Sequence, residues 1–453
     1  MADFFAVGSR YTEVGARVVP GVLRNHAKCQ EITTLTPHWS ISPLRHNTCR
    51  TDWRRNGRVD RSEAANPLFL EQKITTMINL LAAATSVPQN AFTTTELVGS
   101  LMHKLSPELI NTISTLGVHQ RFSTLENYPE FLCGKPQRAT SSTTELGVAA
   151  ARRCIQEWGG DPNRIGLLVA ATNTPDQMLP CLASEIMGKT HGLLSRFMRT
   201  VSMQSQGCSV LLKSIEVAQW YLAANPGKLA IVVMAEAHTP YVAPLLREEY
   251  SGYREIIRLR KEQRLDPDQF EQQRLDTTFV IQSMLFGDGA VALLVGSEEG
   301  KPAFGPISHL TNDQPTDMNL LTMVSNSSHP FLKGRPQYFM QPSVPSRGTH
   351  YAVTTVKNVL QHPDCPVSDL TEVDDCLIHT GSKKILDGVC SQLDLEPESA
   401  KVHSSYEVLQ RYGNLSSAST GFMLAEKNDW SGPAMVVGFG VGFTASAGIM
   451  NFN

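Results

Sequence analysis

Apolar residues fall along this chain in short continuous runs separated by amphipathic stretches. Ile78 to Ala84, Ile165 to Thr172 and Leu229 to Ala235 are almost wholly apolar, which predicts strands covered on both faces of a sheet. Thr200 to Gln204 and Val291 to Val295 predict two more buried strands. Between these runs the period changes to that of a helix. Thr94-Thr95-Glu96 opens one with capping chemistry, and another spans about Thr143 to Trp158. A third begins at Val210, with Leu211, Leu212, Ile215, Ala218, Trp220 and Leu222 at helical spacing.

Residues 241–277 break the rhythm. Charges of both signs crowd there, including Arg247, Arg254, Arg258, Arg260, Lys261 and Arg264, while Tyr250, Tyr253, Ile256 and Ile257 make one apolar stripe. The pattern predicts a helical insertion on the surface. A Pro/Gly/Ser-rich connection from Gly300 to Arg347 then leads into a second series that repeats the first. Cys376 to Gly381 answers Leu168 to Thr172, Ala434 to Gly438 answers Ala230 to Ala235, and Thr444 to Asn451 answers Val291 to Val295. Alternating strands and helices in two like halves imply a duplicated α/β fold. The expected divisions are an N-terminal arm at 1–72, a first half at 73–305 and a second half at 306–453.

Length and composition agree. At 453 residues the chain exceeds one ordinary core, and no stretch reaches the apolar length of a membrane span. A net charge of -3 gives no reason to expect nucleic acid. Nine cysteines occur without paired or metal-binding spacing, an odd count that argues against a disulfide framework and fits a reducing cytoplasm. No metal or other cofactor is expected. The arm carries Arg45, Arg50, Arg54, Arg55, Arg58 and Arg61 with weak apolar periodicity, which predicts a poorly ordered segment. Asp3 and Glu13 interrupt the arginine pattern a targeting peptide needs.

The chemistry concentrates at two glycine corners. Gly207-Cys208 lies between a strand and a helix, with the sulfur at the helix N-terminus, where the macrodipole is expected to lower the thiol pKa. Gly413-Asn414 holds the same place in the second half. If the halves pack about a pseudo-twofold axis, Cys208 and Asn414 face each other, with His379 at the end of its own strand between them. Singly these would read as a buried cysteine, a helix cap and a core histidine. Together they read as a nucleophile with two hydrogen-bond donors.

From about Ile74 onward the chain resembles the thiolase-fold condensing enzymes of the Cys-His-Asn class, comprising β-ketoacyl-carrier-protein synthase III and the chalcone-synthase-like type III polyketide synthases. The matching stretches are Gln206-Gly207-Cys208, Leu285 to Ala290 (LFGDGA), Ile378 to Asp387 (IHTGSKKILD), Tyr412 to Ser419 (YGNLSSAS) and Gly438 to Thr444 (GFGVGFT). The resemblance implies an αβαβα thiolase fold and a decarboxylative Claisen condensation. Cys208 would hold an acyl group, His379 and Asn414 would donate to an extender enolate, and the backbone N–H groups of Cys208 and Gly442 would hold the oxyanion. The product would leave as a β-keto thioester or close to a pyrone, resorcinol or dione. Leu179 and Phe286 are expected to wall the acyl pocket, Leu179 that of the neighbour in a homodimer.

Rivals fit less well. A degradative thiolase needs a second cysteine in the 438–442 loop, which has none, and two-histidine ketosynthases carry histidine where Asn414 stands. A non-catalytic scaffold subunit would lack the nucleophile. An acyltransferase forming an ester or amide remains the alternative, with less need of Asn414. One departure stands out. Glu108, Asn111 and Thr115 occupy positions where the family clamps coenzyme A, leaving Arg121 as the matching basic residue. Acyl and malonyl-type thioesters would then arrive on coenzyme A or, by preference, on an acyl carrier protein, with Arg254 and Arg258 among the residues meeting its acidic helix.

Overall fold

The computed structural model describes residues 78–298, 300–324, 337–427 and 432–451. The expected arm at 1–72 lies outside them. The described residues are organised on a nine-stranded mixed sheet. Its strands are β1 (Ile78–Ser86), β2 (Ile165–Thr172), β3 (Arg199–Gln204), β4 (Leu229–Ala237), β5 (Asp288–Gly296), β6 (Ala303–Thr311), β7 (Asp375–Ile378), β8 (Ala434–Gly440) and β9 (Thr444–Asn451). They run in the order β7-β8-β9-β6-β1-β5-β4-β2-β3. Parallel pairs occur only near the two ends, β2 with β3 and β4, and β7 with β8.

β1 and β6 meet through only Ile78↔Phe304 and Asn79↔Ala303, and the sheet divides there into two runs of the same kind. Each run carries its own outer helices. α1 (Thr143–Trp158) covers β1, β5 and β4, while α5 (Val344–Leu360), backed by α6 (Lys383–Gln392), covers β6, β8 and β9. Between the runs lie α2 (Val210–Ala224) and α7 (Ser419–Glu426), each packed on strands of both. This is the αβαβα layering of the thiolase fold. The apolar faces of α2 and α7 join the inward residues of both runs in one buried cluster, including Val169, Val232, Leu293, Leu377 and Val436. Burying each such side chain contributes about 1.5–3 kcal/mol.

Local chemistry places several ends. α1 starts at Ser142, whose hydroxyl accepts the Glu145 N–H, and stops at left-handed Gly159. The helix Thr94–Leu101 opens at Thr94 as its sequence suggests, capped by Thr93 in a complete capping box with Glu96.

Three expectations need correction. β3 is not a buried strand: it pairs with β2 alone, at the sheet edge, and its first residues are exposed. The 300–347 connection contains a full sheet strand, β6, which Gly305 and Pro306 disguise, so a boundary at 305/306 would cut through it. The 241–277 insertion is only partly a surface feature. α3 (Tyr253–Lys261) buries just Ile256, but α4 (Pro267–Leu285) is buried continuously from Arg274 to its end. Its charges stop where the Thr-Thr-Phe-Val-Ile stretch enters the core.

Candidate active site

Cys208 sits one residue before the Ser209 cap of α2, inside the corner expected of it. Two glycines allow the turn. Gly207 has φ +73, and a β-carbon there would stand 2.9 Å from the Val441 nitrogen and oxygen. A β-carbon on Gly438 would stand 2.9 Å from the Cys208 carbonyl. The Gly438–Thr444 stretch is therefore glycine-rich because it lies backbone to backbone against the Cys208 corner. Ser209 Oγ, 2.6 Å from Thr444 Oγ1, ties the two together.

Asn414 follows left-handed Gly413, where a β-carbon would meet the Leu285 carbonyl at 2.6 Å. Its backbone N–H donates to Leu285 O and its carbonyl accepts from Gly287 N–H, so the corner is stitched to the end of α4. The side-chain Oδ1 accepts the Ser416 N–H at 2.8 Å. With the oxygen engaged, the amide NH2 is the end left for a ligand.

His379 caps β7. Its backbone N–H donates to Val437 O, and the ring meets Phe439 edge to face with centroids 5.3 Å apart. The ring is buried and Nδ1 has no hydrogen-bond partner. Burial depresses its pKa to about 3, so the imidazole is neutral.

Cys208 departs from expectation. Burial pushes its thiol up to about 12; a hydrogen bond with Ser416 opposes this and the Glu236 carboxylate adds to it. The helix N-terminus acts in the opposite sense, but the facing layer takes water away from the sulfur. The resting pair is thus neutral thiol and neutral imidazole.

Sequence reasoning passed over four residues around this corner. Ser416 Oγ lies 3.4 Å from Cys208 Sγ and accepts from Asn173 Nδ2 at 3.1 Å. Asn173 Nδ2 also donates to Glu236 Oε1 at 2.9 Å, and Asn173 Oδ1 accepts the Gly207 N–H at 2.9 Å. Glu236 is fully buried. Burial raises its pKa, while donors from Ser417, Thr174 and Asn173 pull it back. His238 places Nε2 3.6 Å from Glu236 Oε2 and stacks on Phe286 at 4.5 Å. A carboxylate and an imidazole closing the apolar run of β4 were the available signal.

Of the remaining expected residues, Phe286 bridges to Asn414 through the backbone and is buried beside the site. Leu179 is 83 % exposed. Arg121 does not face a carrier. It is fully buried, and its Nη2 donates to Thr94 Oγ1 and Met284 O at the end of α4. Arg254 and Arg258 are exposed and line an open groove with Pro107, Glu108 and Glu255. Asp288, in the LFGDGA stretch, is structural: it accepts from the backbone N–H groups of Thr124 and Thr239. A cavity of about 370 Å³ is lined by Thr115, Leu116, Tyr253, Leu285, Gly381 and Ile385 among others, so that its wall includes residues close in sequence to Phe286 and His379.

The family model for the 3-oxoacyl-[acyl-carrier-protein] synthase III C-terminal region matches residues 368–452, which include His379, Asn414 and Gly442. Curated relatives cover most of the chain. A β-ketoacyl-[acyl-carrier-protein] synthase III from Agrobacterium fabrum is 23% identical over 344 residues, 75% of this chain and 87% of that protein. A 3,5-dihydroxyphenylacetyl-CoA synthase from Amycolatopsis orientalis is 24% identical over 371 residues, 79% and 87% respectively. The chain is a thiolase-fold condensing enzyme. Solved structures agree with that fold. The C-terminal type III polyketide synthase domain of Steely1 from Dictyostelium aligns with a TM-score of 0.64 at 18% identity, covering 83% of this condensing enzyme and 99% of that chain. PKS-I of the brown alga Ectocarpus siliculosus gives 0.63, also at 18% identity, covering 83% and 98%. Among the described residues no helix of this condensing enzyme is long and apolar enough to cross a membrane, and no cluster could hold a metal ion.

Proposed function

We propose that this ketosynthase carries its growing acyl group on Cys208 and extends it with a malonyl-type or β-ketoacyl-type thioester. The observation that carries the reading is the buried corner at Cys208, whose sulfur lies 3.4 Å from a hydroxyl in the same turn as Asn414. The Cys208 sulfur attacks the acyl thioester carbonyl, and the proton it gives up leaves on the departing thiol. The extender then loses carbon dioxide, and charge develops on its carbonyl oxygen. His379 Nε2–H and the Asn414 amide supply two donors already in place, and neither is charged. The enolate carbon attacks the Cys208 acyl group, whose oxyanion is held by the N–H groups of Cys208 and Gly442.

The cavity of about 370 Å³ supports an entry route for the thioester arm between α3, α4 and the turn that follows His379. Product release as a linear β-keto thioester or after ring closure depends on the room left beside Phe286. Substrates arrive on an acyl carrier protein or on coenzyme A. The enzyme works as a homodimer in the cytoplasm: among the described residues β3 ends the sheet, and Leu179 and Phe197, the latter just before β3 in the chain, are exposed.

Intact-protein mass spectrometry after incubation with assorted acyl thioesters tests the core of this reading. The mass should rise by one acyl group, on the peptide containing Cys208, and Cys208→Ala should not load. Normal loading of Cys208→Ala would end it.

A further inference from the structure

The hydrogen bonds around Asn173 leave it no freedom. The side chain spends its oxygen on the Gly207 N–H at 2.9 Å, and its two amide hydrogens on Glu236 Oε1 at 2.9 Å and Ser416 Oγ at 3.1 Å. Its backbone N–H adds two contacts of 3.1 Å to the Glu236 oxygens. Every polar atom of the side chain is engaged, and the residue is buried. Such a closed network fixes orientation, because rotating one member strands its neighbours.

The consequence falls on Ser416. A serine hydroxyl has one proton to give. With a lone pair occupied by Asn173 Nδ2, the hydroxyl faces Cys208 Sγ at 3.4 Å, within reach to donate its proton to the sulfur. We propose that Asn173 is a positioning residue that governs the reactivity of the Cys208 thiol, by aiming the Ser416 hydroxyl at the sulfur while its own oxygen holds the Gly207 N–H. The inference rests on the reading of Cys208 as the nucleophile and deepens it. Asn173 acts through its neighbours, all its side-chain polar atoms being engaged by Gly207, Glu236 and Ser416.

The surroundings make this bond matter. Glu236, at the end of β4, opposes thiolate formation, and the helix N-terminus of α2 favours it. His238 lies behind Glu236, 3.6 Å from its oxygen. His379 stands at the end of β7 and stays neutral. The strand ends at Gly438 and Gly440 that cover the sulfur bring backbone only. The hydroxyl of Ser416 is thus the side-chain donor that the fold holds against the sulfur, and Asn173 decides where it points. The strained backbone of Ser416, at φ +52, places the hydroxyl there.

Iodoacetamide alkylation of the Cys208 peptide, followed by mass spectrometry across pH, tests the inference without any acyl substrate. Asn173→Leu should move the pH–rate profile upward by about one unit, so that alkylation at a fixed lower pH slows about tenfold. Ser416→Ala should do the same, and Asn173→Leu with Ser416→Ala together should move it no further than either alone. If Asn173→Leu does not fold, Asn173→Thr, which retains one hydroxyl for Gly207, should show the same upward displacement. A profile unchanged from wild type in a folded Asn173 variant overturns the proposal, as does an additive shift in the double variant. Wild-type protein that alkylates at Cys208 but accepts no acyl group would instead sink the functional reading and leave this inference standing.

Discussion

Gly440 passes so close to Cys208 that a β-carbon placed on it would stand 3.1 Å from Sγ and 3.0 Å from the Cys208 nitrogen. Neither neighbour can yield easily, since one lies in the tight turn that leads into α2 and the other is the proposed nucleophile. Gly440→Ala should therefore displace the sulfur by a few tenths of an ångström and slow acyl loading at least about tenfold, a geometric penalty of the size misplacement exacts. Its melting temperature should change less than that of Gly207→Ala, which combines a positive φ with two backbone clashes. Loading at wild-type rate by Gly440→Ala would show that the sulfur has room to spare.

The two donors should separate the steps. Losing either His379 or Asn414 to alanine should slow extender decarboxylation by roughly two to three orders of magnitude. Asn414→Ala should still accept an acyl group on Cys208, because the proposed role of its amide is to hold the extender and not the first thioester. Release of labelled carbon dioxide from the extender measures the first quantity and intact mass the second. Condensation at full rate in Asn414→Ala would favour the acyltransferase alternative.

Much of this geometry was legible in the sequence where the signal was local. A strand, a glycine, a cysteine and then a helical period sit within a few residues, so the corner at Cys208 could be placed before any fold was known. Asn414 followed by analogy, since both halves use a left-handed glycine before the polar residue. The network behind them was not legible, because Asn173, Glu236 and Ser416 come from three distant segments and each alone resembles an ordinary loop or strand-end residue. The thiol went the wrong way for the same reason. The helix N-terminus is visible in sequence, whereas the covering strand end at Gly438–Gly440 is a tertiary event. β6 was missed because Gly305-Pro306 carries a loop signature, which its neighbours β9 and β1 override by pairing.

Acid should destabilise the fold through its buried histidines. His379 and His238 are both held near a pKa of about 3 by burial, well below their unfolded value. Above that unfolded value both states are neutral and the native state loses nothing. As pH falls below about 6.5 the unfolded chain takes up protons that the native chain refuses, at a cost of up to about 1.4 kcal/mol per pH unit for each histidine. Melting temperatures measured between neutral pH and moderate acid should fall, and His379→Gln should flatten the slope by about half of the histidine share. Identical slopes in the two proteins would mean that His379 titrates normally.

Association should bury the exposed apolar side chains of Leu179 and Phe197. Phe197 is 99 % exposed and Leu179 83 %, a poor arrangement for an isolated monomer in water. Sedimentation at micromolar concentration should give a dimer, and Phe197→Glu with Leu179→Glu should shift it towards monomer by inserting charges into an apolar contact. A wild-type monomer under those conditions would remove Leu179 from any neighbouring acyl pocket.

The carrier question turns on Glu108, which stands where relatives are expected to place a clamp for coenzyme A. Its carboxylate accepts the backbone N–H groups of Arg254 and Glu255 and so caps the start of α3, a stabilising position for a negative charge. The basic side chains of α3 are carried on this anchored helix beside the cavity, with Tyr253 and Ile256 forming part of its wall. A cationic rim of this kind steers an acidic partner in a salt-dependent way. Changing Arg254, Arg258 and Lys261 to glutamate reverses the rim while leaving Glu108 and the cavity lining in place. Condensation with carrier-bound substrates should fall at least about tenfold at low salt, and less at high salt, where screening weakens steering. Reaction with small free thioesters should stay near wild type. Equal losses on both substrates would mean that α3 supports the fold, and no loss on either would make coenzyme A the donor.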